Sequence, residues 1–173
     1  MRIARQTALA VAAAATMFAG HAAAQSSPQT ANLAVSASVA ANCALSTTPL
    51  DFGNYNPLLA ATVTGTGTIQ LRCTRGTTPA IALNAGVNAA GAQRRMTVAS
   101  EFLAYNLVRP TSNTPGAACP GAGSGTAWDS TAWTLTAAAN SAVRTYNVCG
   151  QLPGAQDVSP GTYTDTVVAT VTF

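Results

Sequence analysis

The sequence contains no lysine, and its single histidine, His21, lies close to the N-terminus. Once the leader described below is removed no histidine remains, which excludes histidine-based catalysis. Acids are also few. Asp51, Glu101, Asp129, Asp157 and Asp165 are widely scattered, and none stands at the spacing of a catalytic carboxylate pair or a metal-ligand set. They read as solvated and turn-capping groups, with Asp165 the one acid that breaks an otherwise apolar strand face. No glycine-rich loop leads into a helix, so phosphate cradling has no basis. Arg94-Arg95 is the only basic doublet and no aromatic run interleaves with it. That pattern argues against nucleic acid and reads as a solvated hairpin end. An enzyme, a cofactor and a catalytic metal are therefore not expected.

What is present begins with a leader. Arg2 and Arg5 form a cationic head, residues 7–18 an apolar stretch, and Ala22-Ala23-Ala24 a small-residue cleavage site. Residues 1–24 read as a secretory signal peptide, with a mature chain starting near Gln25. No later run approaches the 18 apolar residues of a membrane span, so the product is expected to be soluble and exported. Losing Arg2 and Arg5 lowers the formal charge of +3 to about +1, so the basic balance of the precursor says little about partners. Roughly 149 residues remain, one domain of ordinary size.

Four cysteines, Cys43, Cys73, Cys119 and Cys149, in an exported chain read as two disulfides. Three pairings are available. The pairing expected is Cys43–Cys73 with Cys119–Cys149, each closing a span of about 30 residues and contributing roughly 3 to 4 kcal/mol in the loop-entropy view. A zinc site would need closely spaced cysteine knuckles, which are absent.

The remaining pattern is all-β. No 3.6-residue apolar stripe persists, while short alternating runs recur between glycine and proline breaks. Leu33, Val35, Ala37 and Val39 alternate with small or polar residues, placing them on one face of a strand. Further strands are expected over residues 63–73, 80–84, 95–98, 102–108, 132–136, 143–149 and 163–173. In the last, Tyr163, Val167, Ala169, Val171 and Phe173 define a buried face opposite a threonine-rich one. About eight short strands at this spacing predict two packed antiparallel sheets, a β-sandwich. Residues 110–129, rich in proline and glycine, form a long loop that contains Cys119. Trp128 and Trp133 beside it are candidates either for a sugar-stacking platform or, more simply, for cover over the core edge.

Several segments carry a resemblance. Leu50-Asp51-Phe52-Gly53-Asn54-Tyr55, Ile69-Gln70-Leu71-Arg72-Cys73, and Arg95-Met96 followed by Leu103-Ala104-Tyr105-Asn106-Leu107 resemble the spore coat protein U domain family. So do Gly150-Gln151-Leu152-Pro153, Gln156-Asp157-Val158 and Pro160-Gly161-Thr162-Tyr163-Thr164-Asp165-Thr166-Val167, in matching order. The chain departs from the family where a Cys119-containing loop replaces a Trp-Gly pair, and where Cys149 stands in a position often aromatic.

That family includes subunits of archaic chaperone-usher pili, and the resemblance implies an immunoglobulin-like, pilin-type sandwich lacking its final strand. It implies a periplasmic chaperone and an outer-membrane usher as partners, and other copies of the chain or related subunits as neighbours. Donor-strand exchange would then build a surface fibre serving adhesion and biofilm formation. On this reading residues 25–40 hold the donor strand, with Leu33, Val35, Ala37 and Val39 filling a neighbour's groove, and residues 41–173 form the sandwich. The C-terminal strand, with Tyr163, Val167, Ala169, Val171 and Phe173, would border the groove. Full burial of Leu33, Val35 and Val39 would contribute roughly 5 to 9 kcal/mol. An ordinary first strand paired within its own sandwich is the alternative for this segment. At the level of function the alternatives are a spore or cell-surface coat protein and a single-domain glycan-binding adhesin.

Overall fold

The computed structural model describes residues 27–173, and the expected leader lies outside the described residues. The chain divides into two units, Met1–Ala37 and Ser38–Phe173. In the first unit, residues 27–37 form neither helix nor strand, and Leu33 and Val35 are 87% and 86% exposed. The strand expected over residues 33–39 is thus not formed in the isolated chain, because an apolar-faced segment gains strand structure only from a partner edge. Val39, in the second unit, is equally bare at 84%.

The second unit is all-β. Its strands are β1 (Cys43–Thr48), β2 (Val63–Cys73), β3 (Ala80–Leu83), β4 (Arg94–Val98), β5 (Glu101–Val108), β6 (Trp133–Thr134), β7 (Arg144–Leu152) and β8 (Ala169–Thr172). They make a five-stranded sheet ordered β1-β2-β7-β5-β4 and a three-stranded sheet ordered β6-β3-β8, with every pairing antiparallel. Period-2 alternation sorts Ile69, Leu71 and Cys73 of β2, Leu103, Tyr105 and Leu107 of β5, and Tyr146, Val148 and Leu152 of β7 inward. These pack against Ile81 and Leu83 of β3, and against Trp128 and Leu135, to form the core.

Several expectations are corrected at strand boundaries. β1 carried no sequence signal strong enough to mark it, since CALSTT buries only part of two side chains, Cys43 and Leu45. Its place is set by the Cys43–Cys73 bridge and the ladder to β2. The strand expected over 132–136 shrinks to Trp133–Thr134. The strand expected over 163–173 is divided: Thr164 bridges Thr97 of β4 in the large sheet, and the chain then crosses to pair with β3 as β8. One alternating run therefore serves two sheets in turn.

The two disulfides join Cys43 to Cys73 and Cys119 to Cys149. The second fastens the long loop along the part of β7 that β5 leaves uncovered, since β5 meets β7 only through residues 106–108. Gly116 N donates to Thr145 O at 2.9 Å, and the Asn147 amide to Ala117 O at 2.9 Å. The buried Gln151 amide donates to Gly121 O and Ser124 O. The loop so substitutes for a neighbouring strand.

Candidate functional site

β8 pairs with β3 on one side only. The carbonyls of Thr166 and Val168 accept from Val87 N at 3.1 Å and Asn84 N at 3.0 Å, and Val168 N donates to Asn84 Oδ1 at 2.9 Å. Even-numbered residues thus turn their main chain toward β3. The alternation of an extended chain points the N–H and C=O groups of Val167 and Ala169 the other way.

They face an open groove of about 690 Å³. One wall is residues 162–167 with Ala169, and the other is residues 47–52. The floor is apolar: Ile69, Met96, Leu107 and Val148 come from four strands of the large sheet, beside Tyr105. The wall of residues 47–52 sits close because Gly150 of β7 has no side chain. A Cβ there would lie 2.8 Å from both Leu50 and Phe52. Phe52 then meets Tyr105 edge to face, with ring centroids 6.1 Å apart.

Of the residues expected to border the groove, Tyr163, Val167 and Ala169 line it. Val171 instead packs on the core opposite Ile81, and Phe173, past the end of β8, is 56% exposed. Leu33, Val35, Ala37 and Val39 are exposed and lie in no strand. A bare main-chain edge beside an apolar floor has room for one extended peptide, whose alternate side chains would enter the groove while its backbone pairs with β8.

One polar fixture of the groove wall, Asp165, was missed in part by sequence reasoning. Asp165, read from the sequence as the acid that breaks an otherwise apolar strand face, accepts hydrogen bonds from Tyr105 Oη at 2.7 Å, Val87 N at 3.1 Å, Asn88 N at 3.2 Å and Asn88 Nδ2 at 3.1 Å. Burial, and then the hydrogen bond and charge of Asp165, push the Tyr105 phenol far above its ordinary range. Gly86, at φ +88°, is required there, since any Cβ would run into the Asp165 carboxylate.

Arg94 corrects the reading of a solvated doublet. It is buried, with Nη2 donating to the carbonyls of Leu83 at 3.0 Å, Asn84 at 2.7 Å and Trp128 at 2.7 Å, and desolvation lowers its pKa. Arg95 stays outside, its guanidinium 4.0 Å above the Phe102 ring. No signal in the sequence separates the two arginines except their opposite parity on β4. Trp128, offered above for sugar stacking, is fully buried and donates Nε1–H to Ile81 O at 3.0 Å. It holds the core, with Trp133 packed edge-on at 5.1 Å. Among the described residues, no cluster of histidine, cysteine or acid side chains has the form of a metal site.

The sandwich and its groove define the class: an all-β domain of the pilin type, one strand short beside β8. Residues 29–170 match the Spore Coat Protein U domain family. Protein U of Myxococcus xanthus is 32% identical over 191 aligned positions, covering 97% of this chain and 98% of that protein. The chain belongs to the Spore Coat Protein U domain family. Among solved structures it is similar to the CsuC-CsuE chaperone-tip adhesion subunit pre-assembly complex from the archaic chaperone-usher Csu pili of Acinetobacter baumannii. The TM-score is 0.54 at 23% identity, a likeness of fold that covers 78% of this chain and 40% of the matched one.

Proposed function

We propose that the protein is a structural subunit of a chaperone-usher surface fibre, assembled by donor-strand complementation and serving adhesion and biofilm formation. The observation that carries the reading is the groove beside β8, open along an unpaired main-chain edge and floored by Ile69, Leu107 and Val148. A periplasmic chaperone strand occupies this groove first. At the outer-membrane usher, residues 25–40 of the next copy replace it, with Leu33, Val35, Ala37 and Val39 directed at the floor. The one-sided apolar alternation of Leu33, Val35 and Val39, in a segment that forms no strand by itself, supports donation. No helix among the described residues is long and apolar enough to cross a membrane, which is consistent with a subunit passed through the periplasm to the cell surface. The family description favours a second destination, a spore or cell-surface coat, built through the same joint.

Deleting residues 25–39 tests the reading. The truncated chain is expected to bind its chaperone with undiminished affinity and to be absent from fibres, as measured by co-purification and by electron microscopy of cell surfaces. Fibres of normal length from the truncated chain would overturn the donor assignment.

A further inference from the structure

The loop that Cys119 fastens to β7 is where the chain departs from the family pattern, and its bridge borders a second pocket, of about 340 Å³, that shares no lining residue with the groove. Thr64 and Thr66 of β2, Pro120 and Ala122 of the loop, and both half-cystines line it, and no charged side chain does. Tyr146 and Val148 of β7 face the core, so alternation sets Cys149 on the outer face of the large sheet, with Thr66 as its ladder partner. The Thr66 hydroxyl points at the bridge, its Oγ1 3.8 Å from Cys119 Sγ. A pocket of this volume admits a small molecule.

The two bridges differ in what holds their sulfurs together. Cys43 and Cys73 are direct partners in the β1–β2 ladder, with Cα atoms 4.1 Å apart, and Thr74 N bonds Asn42 O at 2.8 Å beside them. If that bridge opens, the ladder keeps the two thiols opposed and recloses it. Cys119 has no ladder. The loop around it meets β7 through the side-chain amides of Asn147, bonded to Ala117 O, and Gln151, bonded to Gly121 O and Ser124 O. Cys119 is half-buried, whereas Cys149 is only 2% exposed.

We propose that Cys119 is a thiol-exchange site, at which a low-molecular-weight thiol enters this pocket and is joined to Cys119 as a mixed disulfide. The entering thiolate attacks Cys119 Sγ. A new sulfur–sulfur bond forms there as the Cys119–Cys149 bond breaks, and the electron pair passes to Cys149 Sγ, which takes a proton from solvent. The thiol is the one co-reactant, and the total of disulfide bonds is unchanged. Attack falls on Cys119 because it is the more accessible sulfur, and the Thr66 hydroxyl beside it donates a hydrogen bond to the incoming thiolate. The loop is then held by its amide bonds alone and loosens. Cys149 remains able to attack the mixed disulfide and expel the thiol, so the modification is reversible. It acts on the loop and is independent of the fibre reading.

The test incubates the purified chain, both bridges formed, with reduced glutathione, traps free thiols by alkylation and maps the products by peptide mass spectrometry. Glutathione is expected on Cys119 with Cys149 alkylated, at least about tenfold faster than any opening of Cys43–Cys73. Ala122→Trp, at an exposed loop position, fills the pocket and is expected to slow the reaction at least about fivefold. Thr66→Val removes the hydroxyl and should slow it by roughly fivefold. Exchange by way of unfolding opens both bridges together and accelerates in dilute urea, which distinguishes it. Opening of both bridges at one rate, an adduct on Cys149 instead of Cys119, or an unchanged rate in Ala122→Trp would overturn the proposal. An unchanged rate in Thr66→Val would overturn the part given to Thr66. Removal of glutathione should restore the Cys119–Cys149 bridge, and a persistent adduct would overturn the reversibility.

Discussion

Tyr105 donates its phenolic hydrogen to Asp165 across 2.7 Å, tying β5 of the large sheet to the segment that crosses toward β8. The same carboxylate receives three further bonds from Val87 and Asn88, so one side chain anchors the crossing at the point where the run of residues 163–173 changes sheet. The wall of the groove is held open by this anchor.

Replacing Asp165 by alanine leaves the Tyr105 hydroxyl and the Asn88 main-chain N–H without their acceptor, while Val87 N keeps its bond to Thr166 O. The loss is expected to be about 2 to 3 kcal/mol in urea unfolding, against about 1 kcal/mol for Tyr105→Phe, which removes one of the four bonds. Equal losses for the two variants would show that the carboxylate acts through Tyr105 alone.

Replacing Cys119 and Cys149 together by alanine opens a closed span of 30 residues. The expected cost is about 3 to 4 kcal/mol. Asn147 and Gln151 still hold the loop, so the fold persists while limited proteolysis accelerates within residues 110–129. Urea midpoints and the mapped cleavage sites give the readout.

Glu101 is held below its ordinary pKa by hydrogen bonds from the side chain and then the main chain of Ser159, followed by Tyr163. A depressed carboxylate contributes stability that is present above its unfolded value near 4.5 and is lost as the pH falls through the lower folded value. Glu101→Gln is therefore expected to be less stable than the parent at about pH 6, with the difference shrinking as the pH is taken progressively below 4.5. Urea titrations across that pH range check the sign.

A synthetic peptide spanning residues 29–39 is expected to bind the chain truncated at residue 40. Leu33→Asp or Val35→Asp in the peptide places a charge against Ile69, Leu107 or Val148, and a loss of at least about 3 kcal/mol in binding is expected. Substituting Ser36, on the opposite face, should change little. A peptide that binds equally well with either pattern would remove the proposed facing of the donor.

Much of the fold was readable because alternation is a local property. Ile69, Leu71 and Cys73 declare an inward face by themselves, and so do Leu103, Tyr105 and Leu107. The two arginines at 94 and 95 were not separable in this way. A buried guanidinium depends on three carbonyls from residues 83, 84 and 128, which only packing brings together. Gln156 was equally silent, since nothing in its neighbourhood announces that it will pair with Ala104 as a strand would.

The sequence by itself determined the β class and the residues whose side chains must find cover, and it left three cysteine pairings of which the fold forms Cys43–Cys73 and Cys119–Cys149. Only the tertiary structure decided where cover is lacking. Residues 163–173 read as one strand, yet Asp165 divides them between two sheets and leaves the far side of β8 unpaired. Burial preference is carried by each side chain, whereas the pairing of a main-chain edge depends on which distant segment arrives beside it. Among the described residues, that arrival covers β4 at Thr97 and leaves the far side of β8 unpaired beside the groove.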